Sequence, residues 1–67
     1  MMKLAKLVGD DCLPWTLYDG TRVNISPGTI VQYERVLRGR TYKIYFPGHS
    51  VECRMARVTF EWYFESL

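Results

Sequence analysis

The chain has 67 residues, a formal net charge of +2, 48% hydrophobic residues and 15% aromatic residues. A chain of this size is one domain that buries only about 60% of its unfolded surface, so it needs an efficient core or a partner. The hydrophobic content excludes disorder, no apolar run approaches the ~20 residues of a membrane-spanning helix, and two cysteines are too few for a secreted disulfide scaffold.

Met1 to Val8 is interrupted by Lys3 and Lys6 and holds no apolar core of signal-peptide length. It fits strand or helix, with the strand preferred, in a protein that is soluble and cytoplasmic. In that reducing compartment Cys12 and Cys53 are small buried apolar residues.

Asp19-Gly20 is the first turn signal, flanked by Trp15 to Tyr18 and Thr21 to Ile25. A two-residue turn would place Leu17 opposite Arg22 and Trp15 opposite Asn24, mixing apolar and polar residues on both faces. A three-residue loop, Tyr18-Asp19-Gly20, pairs Leu17 with Thr21 and Trp15 with Val23. It gathers Trp15, Leu17, Val23 and Ile25 on one face. Register follows the buried face, so the longer loop is preferred, with Gly20 in the left-handed conformation. Ser26-Pro27-Gly28 ends this hairpin.

A second hairpin runs from Thr29 to Leu37, turns at Arg38-Gly39 and returns from Arg40 to Phe46. This turn sets Tyr33 opposite Ile44 and Val31 opposite Phe46, with Tyr42 on the same face. The other face pairs Gln32 with Tyr45 and Glu34 with Lys43, a cross-strand charge pair. After the turn Pro47-Gly48-His49, Val51, Cys53 and Met55 alternate with Glu52 and Arg54 as a strand.

The apolar set then shifts phase to Val58, Phe60, Trp62 and Phe64, which requires a bulge or turn near Met55-Ala56-Arg57. Residue type favours a strand for this last segment, with Trp62 and Phe64 inward and Tyr63 outward. Helical spacing also fits Phe60, Tyr63, Phe64 and Leu67, with Arg57 and Glu61 one turn apart. The segment from Val51 to Leu67 lacks Gly, Pro and Asn and reads as packed structure. The whole predicts an all-β domain, with a short terminal helix as the variant. Its form is a small SH3-like or OB-like, partly closed antiparallel barrel of five or six short strands.

The charge is uneven. Residues 21–57 carry seven Lys or Arg against two Glu, between ends with more acid than base. Within that stretch Arg35, Arg38, Arg40, Lys43 and Tyr45 mark the second hairpin as a candidate binding surface, extended by Arg54 and Arg57. Arginines at a hairpin tip reach phosphates and an outward Tyr stacks on a base; the plainer reading is a solvated turn. Tyr18 and Tyr63 are candidate exposed anchors for a protein partner.

Catalysis finds little support. His49 is the only histidine and sits in a turn without an orienting partner. With Cys12 and Cys53 it offers three zinc ligands where structural zinc takes four. Asp10 and Asp11 could form a carboxylate pair, but adjacent residues would point apart on a strand, and a solvated loop is the better reading. Asn24-Ile25-Ser26 matches a glycosylation acceptor that an intracellular chain does not use. No cofactor, metal or membrane is predicted.

Val31-Gln32-Tyr33-Glu34-Arg35, the lone Cys53, Arg57 and the ending Phe60-Glu61-Trp62-Tyr63-Phe64 form a pattern. It resembles short uncharacterised proteins encoded by phages and lambdoid prophages. Asp19-Gly20 with Val23 and Ile25 is similar to their opening hairpin. The resemblance covers about half the chain, and Val36 to Gly48 form a longer link than that pattern has. It implies a phage origin, and with it a place in the cytoplasm of a bacterial host cell, and carries over no catalytic or binding residue.

Two functions follow as expectations. The first is a non-enzymatic accessory protein that binds and modulates a host protein or nucleoprotein complex. The second is direct binding of DNA or RNA by the basic hairpin. Self-association is compatible with either.

Overall fold

The computed structural model describes residues 2–36 and 39–67. Seven strands form two antiparallel sheets: β1 (Lys3–Leu7), β2 (Leu13–Thr16), β3 (Arg22–Ile25), β4 (Ile30–Arg35), β5 (Thr41–Tyr45), β6 (Cys53–Ala56) and β7 (Phe64–Ser66), with one helix, α1 (Arg57–Tyr63), between β6 and β7. The larger sheet runs β6-β5-β4-β1-β7; β2 and β3 pair only with each other. The mostly β class holds. The barrel is not closed, as the partly closed reading allows, a short helix forms near the end, and the described residues hold seven strands where five or six were expected.

Both hairpin registers agree with the sequence reading. Trp15 pairs with Val23 and Thr16 with Arg22, and the Leu17 amide donates to the Thr21 carbonyl at 2.7 Å. Gly20 has φ +93°, a region that a side chain would strain, and the Asp19 carboxylate accepts the Thr21 amide at 2.9 Å. In the second hairpin Gln32 pairs with Tyr45, Tyr33 with Ile44 and Glu34 with Lys43. The predicted Arg38-Gly39 turn falls partly outside the described residues, as do Met1 and Leu37. The Glu34–Lys43 ion pair does not form although the two are opposite. Lys43 reaches across to Glu52 instead, at 4.0 Å.

One face of the large sheet and the inner side of the β2–β3 hairpin enclose the core. Ala5, Leu7, Val31, Ile44, Phe46, Cys53 and Met55 are each at most 2% exposed, which leaves no room for a polar group there. The hairpin adds Leu13, Leu17, Val23 and Ile25, with Trp15 packed against the cluster. It is tied to the sheet where the Tyr18 amide donates to the Glu52 carbonyl at 2.9 Å. Cys12 is exposed, against the expectation that both cysteines are buried. It precedes β2, and the inward position is taken by Leu13.

The segment after Met55 is the main correction. The phase shift marks the passage from β6 into α1, with Ala56 still extended at φ −59°, ψ 145°. Local preference for a strand is overridden by packing. The helix directs Phe60 into the space over the sheet, where its ring lies 4.7 Å from Tyr33, 4.8 Å from Tyr42 and 5.0 Å from Phe64. Arg57 and Glu61 meet one turn apart at 3.6 Å. Trp62, expected inside, is 77% exposed, and Val58 is 64% exposed. Phe60→Ala should therefore cost about 3–5 kcal/mol in denaturant unfolding, enough to leave a domain of this size mostly unfolded. Trp62→Ala should stay within about 0.5 kcal/mol of the parent; a large loss there would mean that the indole is buried.

Candidate functional site

The second hairpin, the start of β1 and the start of α1 meet at one end of the large sheet. Lys3 pairs with Tyr33 and Arg35 with Tyr42, so both cations lie near the hairpin tip. Thr41 pairs with Ala56, and the Arg57 amide donates to the Arg40 carbonyl at 2.6 Å. This bond brings the helix start beside the hairpin. Arg35, Arg40 and Arg57 line a cavity of about 410 Å³ together with Ala56, Val58 and Glu61. An adjoining cavity of about 240 Å³ is bounded by Lys3, Arg35, Tyr33, Glu34 and Tyr42.

Among the described residues, the four cations Lys3, Arg35, Arg40 and Arg57 thus gather at this end with Glu61, while Glu34 borders the smaller cavity from a strand position that alternates to the outer face. The Arg57–Glu61 bridge is open to solvent on both sides and contributes little, about 0.3–0.5 kcal/mol. Val58 forms the apolar rim, and Trp62 lies one turn further along the same side of the helix. A guanidinium cluster beside an exposed indole can take a carboxylate or phosphate and an apolar anchor together.

The sequence-predicted residues divide between several places. Arg35 and Arg40 are at the tip and Arg57 joins them; Arg38 lies outside the described residues. Lys43, Tyr45 and Arg54 belong to the outer face of the sheet. There Glu52 draws both cations to itself, with Arg54 Nε donating to its carboxylate at 3.2 Å. Tyr18 is exposed at the first turn and its ring lies beneath the Arg54 guanidinium, 5.1 Å from ring centroid to Cζ. This contact and the Tyr18–Glu52 backbone bond make Tyr18 part of the seam between the sheets. Tyr63 sits five residues after Val58, about 140° around the helix, and its carbonyl accepts the Val8 amide at 2.9 Å. It is 37% exposed and lies away from the arginines.

Lys3, Val58 and Trp62 were not singled out as tip residues by the sequence. A helical reading of residues 57–63 would have found Val58 and Trp62, since they are four apart. Lys3 depends on the β1–β4 pairing, which has no local signal.

No cluster of three or more His, Cys, Asp or Glu that could hold a metal is present among the described residues. Nor does any helix among them have the length and apolarity to cross a membrane. His49 is exposed in the turn after Phe46, its amide donating to the Phe46 carbonyl at 3.2 Å; Asp10 and Asp11 are exposed as well. The Asp19 carboxyl is held below the usual range by its hydrogen bonds to Thr21, chiefly from the backbone amide. Comparison with protein-family models, with curated proteins and with solved structures found no significant match to this chain.

Burial, with a smaller effect from the neighbouring Glu52 carboxylate, pushes the Cys53 thiol from 9.0 up to about 12. The folded protein therefore keeps Cys53 protonated while the unfolded chain ionises. Its contribution to stability is present below pH 9.0 and is lost as pH rises to about 12. Denaturant midpoints measured against pH should show the parent losing its margin over Cys53→Ala across that window. A maleimide pulse near neutral pH should label exposed Cys12 and leave Cys53 unmodified until the protein unfolds.

Proposed function

We propose that this is a non-enzymatic accessory protein of phage or prophage origin. It binds a protein or nucleoprotein complex in the cytoplasm of a bacterial host and alters that complex by occupying its surface. The observation that carries this reading is the grouping of Arg35, Arg40 and Arg57 around one cavity whose rim continues through Val58 to outward-facing Trp62. Trp and Arg are the side chains that most often dominate binding energy at protein interfaces. An apolar side chain this exposed on the helix gains from being covered. The partner surface that fits carries carboxylates or phosphates next to an apolar pocket.

The excess of cations over carboxylates at the tip supports a second reading, direct binding of DNA or RNA. The two differ in salt response. Three phosphate contacts give a slope of about −2.7 in log affinity against log salt on duplex DNA, so a fourfold rise in salt should weaken binding by about 40-fold. An interface anchored on Trp62 should change far less.

Affinity capture from bacterial lysate with the parent, Trp62→Ala and Arg35→Glu/Arg40→Glu chains tests the first reading. A partner retained by the parent should be lost, or bound at least tenfold more weakly, by both variants. Retention by both variants would rule out the tip. Mobility shifts with single- and double-stranded nucleic acid at two salt concentrations test the second, which fails if nothing shifts at the lower one.

A further inference from the structure

We propose that the outer face of the five-stranded sheet, centred on Leu4, Ile30, Tyr45 and Leu67, packs against the same face of a second copy of this chain. Alternation along each strand places these residues on the side away from the core. The pairing brings them together: Leu4 lies opposite Gln32 and Gln32 opposite Tyr45, and Leu67 donates its amide to the Leu4 carbonyl at 3.0 Å. Leu4 and Ile30 are each 47% exposed and Leu67 67%, and with half-buried Tyr45 they make an apolar patch with Met2 at its margin. Leu4, Ile30 and Tyr45 also border a shallow depression of about 480 Å³ that extends to Pro47 and His49. β1 and β4 thus each carry one exposed apolar residue, Leu4 and Ile30, on the face away from the core.

Charge selects the occupant. Around the patch stand Lys6, Lys43 and Arg54 with Glu34, Glu52 and Glu65, three of each sign. Lys6 is directly opposite Glu65, and Lys43 lies between Glu34 and Arg54. A neutral face of alternating sign offers nothing to a polyanion. A copy of itself presents the same apolar centre and, at its margins, both signs of charge.

Size sets the expected strength. Five strands spaced about 4.8 Å, three to six residues long at about 3.3 Å each, make a face of about 360 Å² in projection. Side-chain relief and the flanking Met2, Pro47 and His49 add to that, short of the ~800 Å² per partner of a standard interface, so the pair is expected to be weak. Two such faces stacked at about 10 Å form a four-layer molecule with the sheets at its centre and the helices outside.

Sedimentation equilibrium of the parent from micromolar to millimolar concentration is the test. The expected mass rises from 7.9 kDa to twice that value with concentration. Leu4→Glu/Ile30→Lys should remain a monomer with an unchanged circular dichroism spectrum, and Trp62→Ala should associate like the parent. A parent that stays monomeric throughout overturns the proposal, and so does a dimer that survives Leu4→Glu/Ile30→Lys. Should that variant fail to fold, nuclear magnetic resonance of the parent decides. Methyl signals of Leu4, Ile30 and Leu67 should move with dilution while Val58 stays fixed; the reverse pattern would place self-association on the helix and refute this surface.

Discussion

The contact on which the rest depends is Phe60 against the sheet. Its ring touches Tyr33 on β4, Tyr42 on β5 and Phe64 at the start of β7. Tyr33 and Tyr42 in turn meet edge to face at 5.4 Å. Aromatic contacts of this kind add about 0.5–1.5 kcal/mol each beyond the area they bury. Phe60 is the only buried residue of α1, so one side chain anchors a helix that has no side-chain cap at its N-terminus. The helix carries the chain from β6 at one edge of the sheet to β7 at the other. Without that anchor β7 would have no fixed approach to β1, and Tyr33 Oη would lose its 2.7 Å hydrogen bond to Ser66 Oγ.

The same contact sets the tip. With Phe60 pointing into the sheet, Val58 and Trp62 must point out, and Arg57 must lie against the hairpin where its amide meets the Arg40 carbonyl. The cationic cavity is thus a consequence of core packing rather than of the hairpin alone. Arg35 ends β4 and Arg40 immediately precedes β5, and the register of these two strands is fixed by Tyr33 and Ile44 in the core. Arg57 comes from a segment fixed by Phe60. Two guanidinium groups of one hairpin and a third from the start of the helix are held together by buried side chains rather than by contacts of their own.

This explains which parts were legible in the sequence. Both hairpins could be read because turn chemistry and face alternation are local and agreed with each other: Gly20 supplied the left-handed residue while Trp15 and Val23 shared a face. The last segment reads as strand or helix, since Val58, Phe60, Trp62 and Phe64 alternate as a strand would while Phe60, Tyr63, Phe64 and Leu67 fit helical spacing, and only the contact of Phe60 with distant Tyr33 and Tyr42 decides for the helix. Lys43 was assigned to Glu34 because β4 and β5 are adjacent in sequence. Its partner, Glu52, becomes a neighbour only when β6 joins the other side of β5. The outer apolar face was hidden for a similar reason. Leu4 and Ile30 stand beside inward residues in their own strands, and they form a patch only after β1 pairs with β4.

The two surfaces lie on opposite sides of the sheet, since α1 packs on the core side and the apolar patch is on the other. Occupying one leaves the other open. A pair of chains joined through their outer faces would present two arginine tips and two outward indoles facing away from each other. Neither tip then needs high affinity. When two weak sites are rigidly linked, the second binding event becomes intramolecular, and avidity can exceed either affinity by about 10²–10⁴ without any new contact, provided the partner repeats at a matching spacing. A small domain with three arginines and one exposed indole at its tip gains most from that arrangement on a partner that is itself symmetric or repeated. A monomeric partner would engage one tip and leave the other idle.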